Sequence, residues 1–169
     1  MGRWRSPNAP AKPYITPAGY AALESEAKTL MERRADVVRH LAAAAAEGDR
    51  SENAEYQYRK KELREIDRRV GYLHRRMPKL KIVRQVPTDS GKVFFGAWVT
   101  VENEKGATRT FRIVGSDESD PGTGAISVDS PVARILMGKS VDEEVKLPLD
   151  QQTASHWIID IRYHDTSPE

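Results

Sequence analysis

The sequence predicts an α+β protein in which a long antiparallel coiled-coil hairpin is followed by a separate α+β domain. Two observations predict the hairpin: apolar residues form two heptad seams, and a Gly48-Asp49 break separates them. A third observation predicts the second domain, because from Lys92 onward the apolar pattern changes to the short runs typical of strands.

The composition limits the classes of protein to consider. Of the 169 residues, 31% are charged and 38% are hydrophobic, and no apolar run approaches the roughly 20 residues that span a bilayer. A helical membrane protein is therefore excluded. The absence of cysteine excludes disulfides and thiolate metal sites and fits a reducing compartment, so the cytoplasm is expected. Residues 1–13 are basic and rich in proline, which predicts a disordered arm rather than a signal peptide.

Charge is distributed unevenly along the chain. The net charge is +2, but residues 1–84 contain 19 Lys and Arg against 11 Asp and Glu, whereas residues 85–169 contain 8 against 14. The two parts therefore carry +8 and −6. A basic half favours attraction to nucleic acid or another polyanion, and the acidic half is expected to face a different partner.

The first helix of the hairpin is predicted to begin at Pro17. Thr16 is suited to the N-cap, and proline at the first helical position loses nothing because that N–H has no helical partner. Apolar side chains then recur at alternating spacings of three and four, with Arg34 as the polar exception. This first seam consists of Tyr20, Leu23, Ala27, Leu30, Arg34, Val37, Leu41 and Ala44.

A second seam follows the break, and each seam needs the other for burial. The second seam consists of Tyr56, Arg59, Leu63, Ile66, Val70, Leu73, Met77 and Leu80. Seam positions pair so that their numbers add to 100, as in 20 with 80 and 44 with 56, so a hairpin over 14–80 folds near residue 50. Each arm of about 30 residues is on the order of 45 Å long. Arg34 and Arg59 are expected to snorkel, and Pro78 to end or kink the second helix.

Two carboxylates lie at the predicted tip, near residues 48–53. Asp49 and Glu52 are three residues apart, and this spacing is open to two interpretations. It is the spacing of a capping box, in which Asp49 accepts from a free N–H of the second helix and Glu52 reaches back. Alternatively the pair binds Mg2+, but this ion prefers octahedral oxygen ligation, so two exposed acids cannot hold it tightly by themselves. A second molecule would have to complete such a site.

The second helix and the segment after it are strongly basic. Residues 59–84 contain 11 Lys and Arg against 3 Asp and Glu. Outer stripes with spacings of four and of seven are formed by Lys60, Arg64 and Arg68 and by Lys61, Arg68 and Arg75. Such stripes suit a phosphate backbone, although a solvated helix face gives the same pattern.

Residues 81–91 are predicted to be a linker and residues 92–169 a second domain. Its predicted elements are strands over 93–101 and 108–114 around a turn at 104–106, a short strand over 125–128, a helix over 132–137, and strands over 144–149 and 157–163. Asp129-Ser130-Pro131 precedes the helix, with proline in the first turn. Residues 138–140 end like a phosphate-binding loop, but Ala133 stands where that motif requires glycine.

Four stretches together resemble the Gre transcript-cleavage factors, a family of transcription elongation factors, and within them the GreB-like branch. The stretches are residues 14–20 (YITPAGY), 48–56 (GDRSENAEY), 63–70 (LREIDRRV) and 128–134 (VDSPVAR). The resemblance covers about residues 14–163, and the tip and Asp-Ser-Pro motifs are specific in combination. The arm before Tyr14 and the proline at position 78 depart from the family pattern.

The resemblance implies a coiled coil inserted through the secondary channel of RNA polymerase, with an FKBP-like C-terminal domain docked at the channel rim. Asp49 and Glu52 match the acidic pair that helps hold a catalytic Mg2+ shared with the polymerase, so that backtracked nascent RNA is hydrolysed near its 3′ end. The chemistry then belongs to the polymerase, and the chain is expected to be an activator rather than an enzyme.

The resemblance also implies two binding surfaces on a protein expected to be monomeric. The basic patch that holds the extruded RNA is matched by Arg59, Lys60, Lys61, Arg64 and Arg68. The segment that grips the polymerase is matched by Asp129, Ser130 and Pro131.

Two other functions compete with cleavage stimulation. A regulator that occupies the same channel would bind polymerase without releasing RNA fragments, and the intact acids argue against it. A prolyl isomerase is suggested only by the FKBP-like resemblance, and a fold does not imply an activity.

Overall fold

A computed structural model describes residues 10–47 and 54–163 of the chain. Residues 20–80 form one compact unit, built from helix α1 (Pro17–Ala46) after its first three residues and from helix α2 (Ala54–Arg76). A 3-10 turn over Met77–Lys79 follows α2. Pro78 ends the regular helix there, as predicted, because proline lacks an N–H and its ring clashes with the preceding turn.

The burial pattern of the hairpin follows the two predicted seams. Every seam residue is buried or half-buried, and Leu23, Val37, Ile66 and Leu73 are the buried hydrophobic residues in the described part of the hairpin. The predicted seams are therefore confirmed.

Ion pairs across the hairpin show that the helices run antiparallel. In the described part of the unit they join α1 to α2 at 2.6 Å in three places: Glu26 with Arg69, Arg33 with Glu62, and Arg34 with Asp67. The numbers of the paired residues add to 95, 95 and 101, close to the 100 predicted from seam spacing.

The second unit combines the chain up to Gly19 with the chain from Lys81 onward. Strand β1 (Tyr14–Ile15) pairs in parallel with β2 (Lys81–Ile82). The segment predicted as a linker therefore begins with a strand. Two-residue strands leave no periodic signal in a sequence, which is why this pairing was not predicted.

Five further strands form one sheet in the order β5-β4-β3-β7-β6. The strands are β3 (Trp98–Asn103), β4 (Thr108–Val114), β5 (Ala125–Ser127), β6 (Glu144–Leu149) and β7 (Gln152–Arg162). Among the described strands of this sheet, only β4 and β5 pair in parallel. Helix α3 (Pro131–Leu136) contributes Ala133 and Leu136 to the core, together with the inward side chains of the strands. This domain is the predicted α+β domain.

The strand predicted over 93–101 is wrong at its beginning, because β3 starts only at Trp98. Gly96 has a φ of +87°, a left-handed conformation that interrupts an extended run. Val93 pairs elsewhere, since its N–H donates to the Lys139 carbonyl at 2.8 Å and its carbonyl accepts from Gly138.

Strand β7 begins five residues earlier than the predicted start at Trp157. It follows β6 directly, with Leu149 opposite Gln152. The two residues between them, Asp150 and Gln151, have φ values of +50° and +66°. Such a tight turn normally uses Asn-Gly or Asp-Gly, so Asp150-Gln151 is a weak sequence signal for it.

Among the described helices, none combines the length and the apolar composition that a membrane span needs.

Candidate functional site

The tip acids lie outside the residues that the structure describes. Helix α1 ends at Ala46 and α2 begins at Ala54, and Asp49 and Glu52 fall within the intervening stretch. Their predicted capping and metal-binding roles therefore stay predictions. In the described ranges, no group of three or more His, Asp or Glu side chains could hold a metal ion.

The end of α1 that leads toward the tip is built from alanine. Residues 42–46 are all alanine, and Ala44 and Ala45 are half-buried while the other three are exposed. Alanine has the highest helix propensity and the smallest side chain that a helix can use without cost. This end of the hairpin therefore keeps a small cross-section while staying helical.

The predicted basic stripes lie on the exposed face of α2. Lys60, Lys61, Arg64, Arg68 and Arg75 are all exposed, and none of them forms an ion pair with another described residue. These five side chains are referred to below as the basic face. Cations without local partners are available to bind phosphate oxygens.

Arg59, which was grouped with the predicted RNA-binding residues, has different surroundings. Its side chain is only 21% exposed and lies 3.6 Å from Glu55 and 3.8 Å from Glu62. Glu62 in turn contacts Arg33 of α1 at 2.6 Å. Arg59 therefore belongs to an ion-pair network between the helices, as its position in the seam requires. Arg34, the other polar seam residue, snorkels to Asp67 as expected.

Another interhelical ion pair lies nearer the base of the hairpin. Arg69 donates from Nε and Nη2 to the two carboxylate oxygens of Glu26, at 2.6 and 2.9 Å. The hydrogen bond from Arg69 lowers the pKa of Glu26, against a smaller opposing effect of burial. The Arg69 guanidinium also lies 5.3 Å from the centre of the Tyr72 ring. One arginine thus links α1 to α2 and packs on its own helix.

The Asp129-Ser130-Pro131 segment forms the start of α3. Ser130 is the N-cap, and its Oγ accepts from the Ala133 N–H at 3.2 Å, with Pro131 following in the first turn. Asp129 accepts from the backbone N–H of Lys12 at 2.9 Å. The three side chains are half-buried or exposed. The capping function of Ser130 is compatible with a binding surface, because the three side chains remain accessible.

The N-terminal segment makes three contacts that the sequence pattern does not predict. Residues 10–13 were assigned to a disordered arm, yet Lys12 contacts Asp129 and the Pro13 carbonyl accepts from Lys81 at 2.6 Å. Glu118 accepts three hydrogen bonds from Thr16 and Gly115. Thr16 and Glu118 are 102 positions apart, so no local pattern could have indicated this contact.

Comparison with known proteins gives matches along nearly the whole chain. A family model described as the N-terminal part of transcription elongation factors matches residues 13–82, and the GreA/GreB C-terminal model matches residues 88–163. The transcription elongation factor GreB of Yersinia pestis is 56% identical over 151 residues, which are 89% of this chain and 88% of that protein. GreB of Xanthomonas axonopodis pv. citri is 51% identical over 165 residues, or 96% and 98% of the two chains.

Proposed function

This chain belongs to the GreA/GreB family of transcription elongation factors, and we propose that it stimulates cleavage of backtracked nascent RNA by RNA polymerase. In this proposal the hairpin enters the secondary channel of the polymerase and brings Asp49 and Glu52 to the 3′ end of the RNA. The protein acts as a monomer in the cytoplasm, and it rescues arrested complexes without an active site of its own.

One observation carries the proposal: the antiparallel hairpin has matched seams along both helices. The seams extend from Tyr20 and Leu80 at the base to Ala44 and Tyr56 near the turn. Because the helices are antiparallel, the short connection that contains both acids joins their distal ends. A long rod of small cross-section suits delivery of side chains into a narrow channel better than it suits burial of a core.

The donor chemistry of the tip fits half of a magnesium site. Proteins usually hold Mg2+ with one or two carboxylates while waters and substrate phosphates complete the octahedron, so Asp49 and Glu52 would supply the chain's share of ligands. When bound, Mg2+ activates water and neutralises charge at phosphate. In this proposal the remaining ligands come from the polymerase and the RNA. The two acids orient their share of the site, and they can also cap α2.

The basic face suits the RNA that leaves the polymerase active centre. Lys60, Lys61, Arg64 and Arg68 are exposed on one helix and carry charge opposite to that of the phosphate backbone. Arg59 contributes to this surface indirectly, through its contact with Glu62, which in turn pairs with Arg33 of α1. We assign Asp129, Ser130 and Pro131 to the grip on the polymerase, since their backbone is fixed by the N-cap of α3.

Cleavage by a stalled, backtracked polymerase complex tests the proposed function. The full chain with magnesium should release short 3′ RNA fragments from the complex. The Asp49→Asn, Glu52→Gln double variant should bind the polymerase but lose at least about a hundredfold in cleavage rate, the usual scale for removing groups that stabilise a transition state.

A matched control tests whether cleavage depends on the two tip acids themselves or on any negative charge near the turn. Glu47 is exposed beside the end of α1, and Glu47→Gln should cleave like the parent chain. Full cleavage by the double variant would contradict the assignment of the acids. Polymerase binding by the parent chain without any fragment release would instead favour a channel-occupying regulator.

A further inference from the structure

The segment that leads into α1 is fastened by one carboxylate that comes from a distant part of the sequence. The backbone N–H groups of Thr16 and Gly115 donate to Glu118 Oε1 at 2.9 and 3.0 Å. The Thr16 hydroxyl donates to Glu118 Oε2 at 2.6 Å. Thr16 is only 5% exposed and Glu118 is half-buried, so these hydrogen bonds are partly shielded from water. Hydrogen bonds to charged groups are also stronger than neutral ones.

The Thr16 hydroxyl serves the helix and the carboxylate at the same time. Its oxygen accepts from the Gly19 N–H at 3.0 Å, the N-cap hydrogen bond of α1. A hydroxyl carries one proton and two lone pairs, so it can donate to Glu118 while it caps the helix. Thr16, Gly19 and Glu118 thus form one connected group, referred to below as the clamp.

Two glycines allow close approaches here: Gly19 leaves space for the Glu118 carboxylate, and Gly115 leaves space for the Tyr14 carbonyl. A Cβ atom on Gly19 would lie 1.5 Å from Glu118 Oε2, and one on Gly115 would lie 2.1 Å from the Tyr14 carbonyl oxygen. Glycine is normally disfavoured within a helix relative to alanine. The approach of Glu118 to the first turn of α1 explains why Gly19 is nevertheless present there.

We propose that Glu118 is a positioning residue, which holds the first turn of α1 through Thr16 and Gly19 on the loop that follows β4. Helix α1 continues without a break from Pro17 to Ala46. The first turn that the clamp holds is therefore continuous with the helix that carries the first seam. The consequence for RNA cleavage rests on the proposed function, in which the far end of the hairpin must reach a defined point in the polymerase.

Gly19→Ala is the sharpest way to open the clamp. The new methyl group must displace the Glu118 carboxylate, which is the flexible end of a side chain. Alanine is also the better helix former, so α1 itself gains rather than loses helix propensity. If Gly19 has only a local structural role, Gly19→Ala leaves both the helix and the function unchanged. If the clamp positions the first turn of α1, the variant still folds but its first turn is displaced.

A distance measurement between spin labels reads position directly. The chain contains no cysteine, so Ala18→Cys in the first turn of α1 and Lys146→Cys on β6 can be labelled without background, and both side chains are exposed and belong to the same compact unit. The parent chain should give one narrow distance distribution. Gly19→Ala and Glu118→Ala should broaden it, while Glu118→Gln, which keeps both acceptor contacts of Oε1, should remain closer to the parent. Glu104→Ala, an exposed acid in the β3–β4 turn, is the matched control.

The same variants are then compared in polymerase binding and in RNA cleavage. Binding should be unchanged, and cleavage should fall about tenfold or more, because a misplacement of roughly 1 Å can reduce a rate on the order of a hundredfold. Narrow distributions in both Gly19→Ala and Glu118→Ala would overturn the clamp. Broadened distributions would support it even if the parent chain failed to stimulate cleavage, and that failure would count against the proposed function alone.

Discussion

The hairpin and the sheet domain bury their apolar residues in different ways. Among the described residues, four hydrophobic side chains of the hairpin are buried, whereas the core cluster of the sheet domain contains twelve. The hairpin is held by a seam one side chain deep, with ion pairs such as Arg69 with Glu26 along its edges. The sheet domain closes its core with α3 on the inward side chains of the strands.

This difference determines where each region tolerates change. A seam leaves most of both helices exposed, so the hairpin can carry a basic face without disturbing its packing. Removing atoms from a closed core leaves a cavity as well as losing burial. A single truncation is therefore expected to lower the stability of the hairpin by a small amount and that of the sheet domain by a large amount.

The largest expected difference between the two regions is in the free energy of unfolding that is lost when one packed residue is truncated in each. Ile158→Ala, at a position with 0% exposure in β7, should lower the free energy of unfolding by about 2–5 kcal/mol because it creates a cavity. Leu30→Ala, at a half-buried seam position, should cost roughly 1–2 kcal/mol from lost burial alone. Denaturant unfolding, followed by tryptophan fluorescence for the sheet and by circular dichroism for the helices, measures both. Equal costs would contradict the comparison.

Truncation of Arg59 and truncation of Lys61, both on α2, should lower stability by different amounts. This difference is expected to be of intermediate size. Arg59→Ala should destabilise the hairpin by about 1 kcal/mol, because it removes contacts with Glu55 and Glu62. Lys61→Ala, on the basic face, should change stability by less than about 0.5 kcal/mol. Thermal melting of the two variants beside the parent chain tests this. A large loss from Lys61→Ala would show that the basic face is structural.

The smallest of the expected effects is the pH dependence of the stability that the Glu26–Arg69 pair contributes. Arg69 lowers the pKa of Glu26 in the folded state from its ordinary value of 4.5. The pair therefore stabilises the hairpin fully above that pH, and its contribution is lost as the pH falls through the lower folded-state pKa. Both side chains are more than one third exposed, so salt should screen the effect. The difference in melting temperature between the parent and Glu26→Gln should be present at neutral pH and vanish in acid.

The elements that could be predicted from the sequence are those with a local signal. The N-cap at Thr16, both seams, the stop at Pro78 and the strand over 108–114 all follow from spacing or from turn chemistry. The start of β3 was misplaced because an apolar run hid the left-handed turn at Gly96. The tip acids and the basic face were also visible as patterns, since charged residues at helical spacing need no tertiary partner to be recognised.

By itself the sequence determined the hairpin, its register about residue 50 and the exposed basic stripes, because heptad spacing fixes which side chains share a helix face. Only the tertiary structure decided the pairing of β1 with β2, the assignment of Arg59 to an interhelical network, and the contact of Glu118 with Thr16. The strand pairing and the contact of Glu118 with Thr16 join residues far apart in the chain. Arg59, in contrast, has several possible ion-pair partners. Which partner is chosen depends on the packing of the whole fold, and that information is absent from any local window of residues.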